Sequence, residues 1–299
     1  MSILVVGSIA FDSVKTPSGQ ASQVVGGSAS YFSIAASFFT EVALVGIVGK
    51  DFPKDYLDML EERGVDISGI QVSEGETFRW TGDYTENINR VKTISVCQNV
   101  MGNFIPDPPD KFREIPYVFL ANIEPEIQSK VLGMMNSPNF VICDTMNFWI
   151  EKDVNLLYDL MKRVNMIMVN DEEACFLTGK KNVIEASKKM LTLGPSFVVI
   201  KKGEHGAIFA TKQNLFVIPA YPVPKVVDPT GAGDSFGGGF AGYIASTGNI
   251  SEENMRKAVV YGTVVASFTV EDFSTRKLEK ITMKDIKERV EEMRNLVKF

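Results

Sequence analysis

The chain has 299 residues, of which 45% are hydrophobic, and a formal net charge of −6 at neutral pH. This length suffices for one large α/β domain or two small ones, and the acidic balance excludes a basic surface for nucleic acid. No apolar run reaches the ~18 residues of a membrane span, and three cysteines without C-x-x-C spacing indicate reduced thiols in a cytoplasmic protein. The single histidine, His205, disfavours a catalytic triad or a histidine-rich metal site.

Strands and helices are predicted to alternate along the first part of the chain. Residues 3–6 and 42–48 are short all-apolar runs, as expected for strands that are buried on both faces. Residues 28–39 carry small and aromatic side chains at helical spacing, and residues 52–63 form an amphipathic pattern that Gly64 ends.

Residues 73–98 break this alternation. Residues 77–84 and 91–98 are rich in β-branched and aromatic side chains and are separated by a polar turn, which predicts an inserted hairpin. The hairpin is too small to be stable alone, so we expect it to pack on the main domain or on a second subunit. We assign residues 73–98, together with the polar residues 12–25, to a small β lid. The α/β domain then comprises residues 1–11, 26–72 and 99–299.

Alternation resumes after a proline-rich linker at residues 102–116. The predicted strands are residues 117–123, 140–144, 166–169, 197–201, 207–211 and 215–218. The predicted helices are residues 124–135, 152–163, 171–177, 183–193, 235–246, 251–268 and 283–296. This order indicates an α/β fold with a mainly parallel sheet that is covered by helices on both faces.

Ligands of such sheets bind beyond the carboxyl ends of the strands. The residues that follow the predicted strands are therefore the first candidates for a site, and several are polar or glycine. They include Asp12, Gly26, Gly27, Asp144, Asn170 and Lys201, and the segment 228–234.

Residues 228–236 have the sequence DPTGAGDSF and join a strand-like run to a helix-like run. Gly231 and Gly233 allow a tight turn that exposes successive amides where the helix begins, with its partial positive charge directed outward. Asp234 follows directly. An anion cradle beside a carboxylate suits phosphoryl transfer, in which the amides hold the charged group and the acid accepts a hydroxyl proton. An ordinary strand-to-helix turn is the alternative.

The common nucleotide-binding signatures are missing from the sequence. There is no Gly-x4-Gly-Lys-Ser/Thr loop, and the first strand is followed by Gly7 alone instead of a Gly-x-Gly-x-x-Gly fingerprint. The only histidine is followed by Gly206, so a His-Arg-Asp catalytic loop is also absent.

The chain instead resembles the ribokinase-like sugar and nucleoside kinases, also called the PfkB carbohydrate kinase family. Residues 228–236 match the C-terminal signature of that family, and Gly26-Gly27 before a small-residue helix matches its N-terminal signature. Asn170 and Glu173 match an Asn-x-x-Glu motif, and the inserted hairpin matches the family's lid. The resemblance extends over the whole chain and implies the ribokinase-like fold.

The resemblance implies roles for the matching residues. Asp234 would be the general base, and the amides of Gly231, Ala232 and Gly233 would form the anion hole. Asn170 and Glu173 would act on Mg²⁺ mostly through water, although a helix N-cap with a capping box explains the same pair. Residues expected to contact the nucleotide are Lys201, Gly203, Gly206, Thr230 and Gly262, with core packing as an alternative for the last. Asp228 resembles a residue near a monovalent cation such as K⁺.

Other positions concern the acceptor. Asp12, Gly26 and Gly27 would hold its hydroxyls, with a solvated loop acid as the alternative for Asp12. Tyr31 stands where many members have Asn, and the segment that begins at Asp144 departs from the commoner Asp-x-Asn-x-Arg. Sugar specificity therefore does not carry over. Further candidate acceptor contacts are Asp144, Arg79 and Trp80, the last two on the lid.

The sequence thus predicts an ATP-dependent and Mg²⁺-dependent kinase that phosphorylates a hydroxyl of a small sugar or polyol. A nucleoside kinase of the same family is one alternative, because Tyr31, Trp80 and neighbouring aromatic residues could enclose a base. A ligand-binding sensor on a kinase fold is a second alternative, which the intact Asp234 disfavours. A homodimer formed through the lid is expected, with no nucleic-acid or membrane partner.

Overall fold

The structure is a computed structural model that describes residues 1–298. Its strands are β1 (Ile3–Val6), β2 (Ala10–Thr16), β3 (Gly19–Gly26), β4 (Val42–Gly49), β5 (Val65–Ser73), β6 (Phe78–Asp83), β7 (Lys92–Cys97), β8 (Tyr117–Leu120), β9 (Phe140–Asp144), β10 (Met166–Asn170), β11 (Phe197–Lys201), β12 (Ala207–Ala210) and β13 (Leu215–Ile218). Its helices are α1 (Ser28–Ser37), α2 (Lys54–Glu62), α3 (Pro125–Met134), α4 (Asn147–Lys152), α5 (Val154–Met161), α6 (Asp171–Thr178), α7 (Val183–Met190), α8 (Ala232–Thr247), α9 (Glu252–Thr269), α10 (Arg276–Lys280) and α11 (Met283–Leu296). None of these helices is long and apolar enough to cross a membrane.

Nine strands form the main sheet in the order β13-β12-β11-β10-β9-β8-β1-β4-β5. The seven strands from β11 to β5 pair in parallel, and β12 and β13 are added antiparallel at one edge. The mainly parallel sheet predicted from the alternation of elements is therefore confirmed. The carboxyl ends of the parallel strands, where the polar residues were predicted, consequently all point in the same direction.

The main sheet is buried on both faces. Along β1, Ile3 and Val5 pack into one hydrophobic cluster, whereas Leu4 and Val6 pack into the other. Successive side chains of a strand point to opposite faces, so a strand that is covered by helices on both sides reads as a continuous apolar run. This is the pattern that identified β1, β4 and β9 in the sequence.

A second sheet of four strands has the order β3-β2-β6-β7. The β6–β7 hairpin agrees with the predicted insertion, and β2 pairs in parallel with β6. Residues 12–25, predicted only as a polar segment of the lid, belong to a second hairpin of β2 and β3 that begins at Ala10 and ends at Gly26. The lid sheet therefore has four strands instead of two, and the extra pairing supplies the stability that an isolated hairpin lacks.

Besides β2 and β3 of the lid sheet, the sequence patterns miss one strand of the main sheet and two short helices. β5 is an edge strand of the main sheet in which Asp66, Ser68, Gln71 and Ser73 interrupt the apolar residues, so it shows no continuous apolar run. α4 and α10 have only six and five residues, too few for a helical period to be visible. The segment 102–116 that was predicted as a linker contains a short 3₁₀ turn at Asp110–Phe112.

Close packing of α1, α8 and α9 depends on glycine. A Cβ atom on Gly238 of α8 would lie 2.5 Å from the backbone oxygen of Phe32 in α1. A Cβ atom on Gly262 of α9 would lie 2.8 Å from the backbone oxygen of Phe236. The glycines therefore let three backbones approach each other, and this packing fixes where α8 begins.

Gly238→Ala should destabilise the protein although alanine favours helices. Alanine contributes about 1 kcal/mol of helix propensity, but the contact with the α1 backbone requires the helices to separate, at a cost of about 1–3 kcal/mol or more. The melting temperature measures the balance. Gly133→Ala is the matched control, because Gly133 is exposed in α3 and a Cβ atom there has 3.9 Å to its nearest neighbour. If Gly238→Ala were as stable as Gly133→Ala, the packing argument would fail.

Candidate active site

Three neighbouring parallel strands end in polar residues. Asp144 ends β9, Asn170 ends β10 and Lys201 ends β11, and Asn170 and Lys201 are direct partners in the strand register. Lys201 Nζ donates a hydrogen bond to Asp144 Oδ2 at 2.7 Å, and this ion pair is largely buried. The strand order of the sheet thus assembles a charged cluster from residues that are far apart in sequence.

The N-terminus of α8 points its amides into the same cleft. Gly231 is the N-cap with a φ of 75°, which disfavours other residues, and Asp234 lies in the first turn. The helix begins at Ala232, three residues before the predicted start. The Ala232 amide donates to the carbonyl of Pro229 at 3.2 Å, so the turn itself uses one of the three amides that were predicted to form the anion hole.

Asp234 has an environment suited to a general base. Burial raises the pKa of this carboxyl to about 7, the nearby Asp144 carboxylate adds to the rise, and Lys201 opposes it. A carboxyl with a pKa near neutrality can both accept and release a proton at physiological pH. Asp234 can therefore accept a proton, and it lies at the N-terminal end of a helix, which attracts anions.

Asp12, Gly26 and Gly27 lie together on the lid side of the cleft. Asp12 is buried on β2, which removes the alternative of a solvated loop acid. A Cβ atom on Gly26 would overlap the Asp12 carboxylate at 1.8 Å, and Gly27 is the N-cap of α1 with a φ of 89°. Burial raises the pKa of Asp12 to about 7, while the Gly27 amide favours the charged form.

Tyr31 fills the space between these groups. Its side chain is buried, and a Cβ atom on Gly231 would lie 2.4 Å from its ring. Burial raises the pKa of Tyr31, and Asp12, Asp228 and Asp234 raise it further. Its hydroxyl has no hydrogen-bond partner among the described residues. The ring therefore supports the anion-hole turn, and the hydroxyl is available to a ligand or a water molecule.

Asn170 and Glu173 form the capping box of α6. Asn170 Oδ1 accepts from the Glu173 amide, and Glu173 Oε2 accepts from the Asn170 amide, each at 2.7 Å. Burial raises the pKa of Glu173 to about 8, and Lys201 opposes the rise. One oxygen of the carboxylate is left outside the cap. The structural role is thus present, and it leaves an oxygen for a hydrated cation.

The residues predicted to contact the nucleotide fall into two groups. Gly203 is exposed, and a Cβ atom there would be in ordinary contact with Asn89 Oδ1 at 3.8 Å, whereas Thr230 contributes its hydroxyl at the start of the turn. Gly206 and Gly262 are buried, where a Cβ atom would lie 2.0 Å from the Ile218 carbonyl and 2.8 Å from the Phe236 carbonyl, respectively. Packing alone explains these two glycines. His205 is exposed, as expected for a turn residue.

The two lid candidates point to opposite faces of the lid sheet. Trp80 is opposite Asp12 in the register and shares its face, whereas Arg79 is opposite Phe11. Arg79 donates to Asp51 at 3.0 Å and to Glu76 at 3.2 Å. Arg79 is therefore held away from Asp12, and Trp80 is the lid residue on the side of the cleft.

The tip of the β6–β7 hairpin also contacts the opposite wall, which sequence patterns did not reveal. Asn89 Nδ2 donates to Glu204 at 2.9 Å, and Arg90 forms an ion pair with Glu172. Tyr84 lies nearer the centre, with its hydroxyl 3.4 Å from Thr230 Oγ1. Polar residues in a turn carry no signal of their partner, so these contacts required the structure.

Asp228 fits the proposed cation role in one respect. Its side chain is buried, Oδ1 accepts from the Thr230 amide at 2.9 Å, and Oδ2 has no partner among the described residues. Burial raises the pKa of Asp228. Among residues 1–298, no group of three acidic, histidine or cysteine side chains could hold a metal ion alone. A cation at Asp228 would therefore need further oxygen ligands from outside such a group.

Glu173→Gln should leave the cap intact and remove a pH-dependent cost, whereas Glu173→Ala should lose the cap. Glutamine can also close a capping box, and the loss of the cap costs about 1 kcal/mol. The pKa of Glu173 is about 8 in the folded protein, compared with the ordinary 4.5. As the pH rises from 4.5 to 8, Glu173 is therefore deprotonated in the unfolded chain before it is deprotonated in the folded protein, and the stability of the wild type falls. The stability gain of Glu173→Gln over wild type should therefore grow from pH 5 to pH 8. A constant difference in denaturant titrations would contradict this.

Comparisons with known proteins agree with this geometry. The model of the pfkB family of carbohydrate kinases matches residues 2–281. A cytidine kinase of Thermococcus kodakarensis is 31% identical over 264 residues, which cover 86% of this chain and 92% of the relative. The crystal structure of Methanocaldococcus jannaschii nucleoside kinase, an archaeal member of the ribokinase family, superposes with a TM-score of 0.75 at 21% identity and covers 97% and 98% of the two chains.

A double mutant of the fructokinase from Vibrio cholerae O395, with fructose, ADP and a potassium ion bound, superposes with a TM-score of 0.80 at 18% identity and 97% and 98% coverage. The ribokinase-like fold is thus shared over nearly the whole chain. With the family model matching from residue 2 to residue 281, the chain belongs to the pfkB family of carbohydrate kinases, which are phosphotransferases with a hydroxyl acceptor.

Proposed function

We propose that this protein transfers the γ-phosphoryl group of ATP to a hydroxyl of a nucleoside, with Asp234 as the general base. The observation that carries the proposal is the position of Asp234 in the first turn of α8, beside the Gly231–Gly233 amides and within electrostatic range of Asp12. The acceptor hydroxyl would lie between Asp12 and Asp234, and the γ-phosphoryl group would lie at the helix N-terminus.

The placement of the acceptor and of the γ-phosphoryl group determines which bonds form and break in the proposed reaction. The acceptor oxygen attacks the γ-phosphorus, the bond to the β-phosphate oxygen breaks, and its electrons leave with ADP. The acceptor proton passes to Asp234. The amides at the start of α8 stabilise the negative charge on the transferring group, and the lid excludes water that would otherwise accept the phosphoryl group.

Two cations are proposed to assist. Asn170 and Glu173 would hold Mg²⁺ through water, because the capping box fixes both side chains at the cluster of strand ends. Bound to ATP, Mg²⁺ neutralises charge on the β- and γ-phosphates. Asp228 would take part in a K⁺ site, because one of its buried oxygens is unpartnered. The potassium-bound fructokinase supports this site by analogy only.

The acceptor is proposed to carry an aromatic ring. Trp80 is on the same face of the lid sheet as Asp12 and can stack on such a ring. The names of the similar cytidine and nucleoside kinases support a nucleoside. A small sugar or polyol is the second candidate, since the family includes carbohydrate kinases and Tyr31 narrows the space near Gly231.

A homodimer through the lid is proposed as the assembly. β7 lies at the edge of the lid sheet, and all its residues are exposed, including Ile94 and Val96. An exposed apolar edge strand is a template for pairing with another chain. A monomeric mass in sedimentation equilibrium at micromolar concentration would rule out the dimer.

Asp234→Asn should lower kcat by several orders of magnitude and leave ATP binding nearly unchanged, because it removes the base and retains the shape of the side chain. Steady-state kinetics and equilibrium titration with ATP measure the two effects. Wild-type kcat/KM should fall as the pH decreases through about 7, since the raised pKa of Asp234 means that the base is protonated below that value. Near-normal turnover of Asp234→Asn would refute the assignment of the base.

A panel of nucleosides, pentoses, hexoses and inositols should show phosphate transfer mainly to nucleosides. Trp80→Ala should then raise the KM for the nucleoside about 10-fold to 100-fold, since stacking of a base contributes about 1–3 kcal/mol. Trp80→Phe should restore most of the loss because it keeps an aromatic face. Preferential phosphorylation of a sugar, with an unchanged KM in Trp80→Ala, would favour the carbohydrate candidate. No transfer to any acceptor would favour a ligand-binding sensor.

A further inference from the structure

Lys201 is the one positive side chain in the buried cluster of Asp144, Glu173 and Asp234. Burial alone would lower its pKa, but the carboxylates of Asp144 and Glu173 outweigh burial and raise it. The ammonium group is therefore charged at neutral pH. A buried ion pair often contributes little to stability, so stability alone does not explain why a lysine is buried at this position.

Both carboxylate oxygens of Asp144 already accept hydrogen bonds from the protein. Oδ2 accepts from Lys201 at 2.7 Å, Oδ1 accepts from the Thr145 amide at 2.8 Å, and the main-chain oxygen accepts from Gln128 Nε2 at 2.9 Å. These bonds fix the carboxylate rigidly at the end of β9. Asp144 can therefore orient the lysine, a role in addition to the acceptor contact expected from the sequence.

The ammonium group of Lys201 has unused donors. It carries three N–H groups, and among the described residues only Asp144 accepts from it. A Cβ atom on Gly233 would lie 3.2 Å from Nζ, so the free side of the ammonium faces the first turn of α8. The positive charge of Lys201 and the amides at the N-terminus of α8 are thus directed at the same place, next to Gly233.

We propose that Lys201 binds the γ-phosphoryl group of ATP during transfer and that Asp144 is its positioning residue. The inference rests on the proposed kinase function and refines it, because Lys201 was expected only to contact the nucleotide in general. As the bond to the β-phosphate breaks, the ammonium hydrogen-bonds to an oxygen of the moving group and opposes its charge. No proton leaves Lys201 in this step.

Equilibrium binding without an acceptor tests the proposal. The probes are ADP and the β,γ-imido analogue of ATP, each with Mg²⁺, titrated into wild type, Lys201→Met and Lys201→Arg. Lys201→Met should bind ADP within about 2-fold of wild type and the imido analogue at least 10-fold more weakly. Lys201→Arg, which keeps the charge, should retain part of the preference for the analogue. Equal losses for both nucleotides, or no loss, would overturn the proposal.

Further variants separate this role from a structural one. Asp144→Asn should weaken analogue binding several-fold and spare ADP, because the lysine remains but loses its fixed orientation; it also tests the proposal if Lys201→Met does not fold. Lys257→Met is the control, since it removes an exposed lysine–carboxylate pair on α9 and should change neither affinity. In kinetics, Lys201→Met should lower kcat by about 100-fold or more with a smaller change in the KM for ATP.

The outcomes for Lys201 and for the kinase function are distinguishable. If wild type phosphorylates no acceptor but binds both nucleotides, the binding ratio still reports on Lys201. If wild type binds neither nucleotide, the proposed function itself is wrong. A lower melting temperature of Lys201→Met with wild-type kcat and an unchanged binding ratio would assign the ion pair to structure alone and overturn the inference.

Discussion

The concentration of buried carboxyl groups around a single ammonium is the constraint on which this site depends. Asp12, Glu173 and Asp234 all have raised pKa values because burial disfavours their charged forms. Lys201 opposes the rise at Glu173 and Asp234, and backbone amides oppose it at each of the three carboxyls. Such an arrangement is costly in the free protein. The cost is reduced if the ligands bring cations of their own, which is what nucleotide-bound Mg²⁺ would do.

The packing of α8 determines whether those charges meet the helix N-terminus. Glycines in α8 and α9 bring their backbones into contact with each other and with α1, and Tyr31 of α1 lies against Gly231. Because Gly27 begins α1 next to Asp12, one rigid set of helices positions both the acceptor side and the phosphoryl side. The glycines at these helix contacts, which take no part in the reaction, thus set the distance between Asp12 and Asp234.

Sequence patterns located the parallel sheet and the residues at its strand ends, because buried strands read as apolar runs and polar residues stand out after them. Asp144, Asn170 and Lys201 were found in this way. Asp12 and the turn that ends at Asp234 were selected by the same rule, but Asp12 lies within β2 of the lid sheet and the turn follows a loop after β13. The partners of these residues could not be predicted. The pairing of Asp144 with Lys201 depends on strand order, and the opposite faces of Arg79 and Trp80 depend on the register of β6 with β2.

The contacts of the lid tip are too weak to fix the position of the lid by themselves. The hydrogen bond of Asn89 to Glu204 and the ion pair of Arg90 with Glu172 are both exposed, and an exposed ion pair contributes only about 0–1 kcal/mol. These contacts alone cannot hold the lid sheet down against thermal motion. If the acceptor packs against Trp80 and Asp12, which are neighbours on one face of the lid sheet, its own burial adds free energy that favours the closed lid, so closure would follow acceptor binding. In that case the weak contacts at the tip would only determine the position of the closed lid. Release of the product would then allow the lid to reopen.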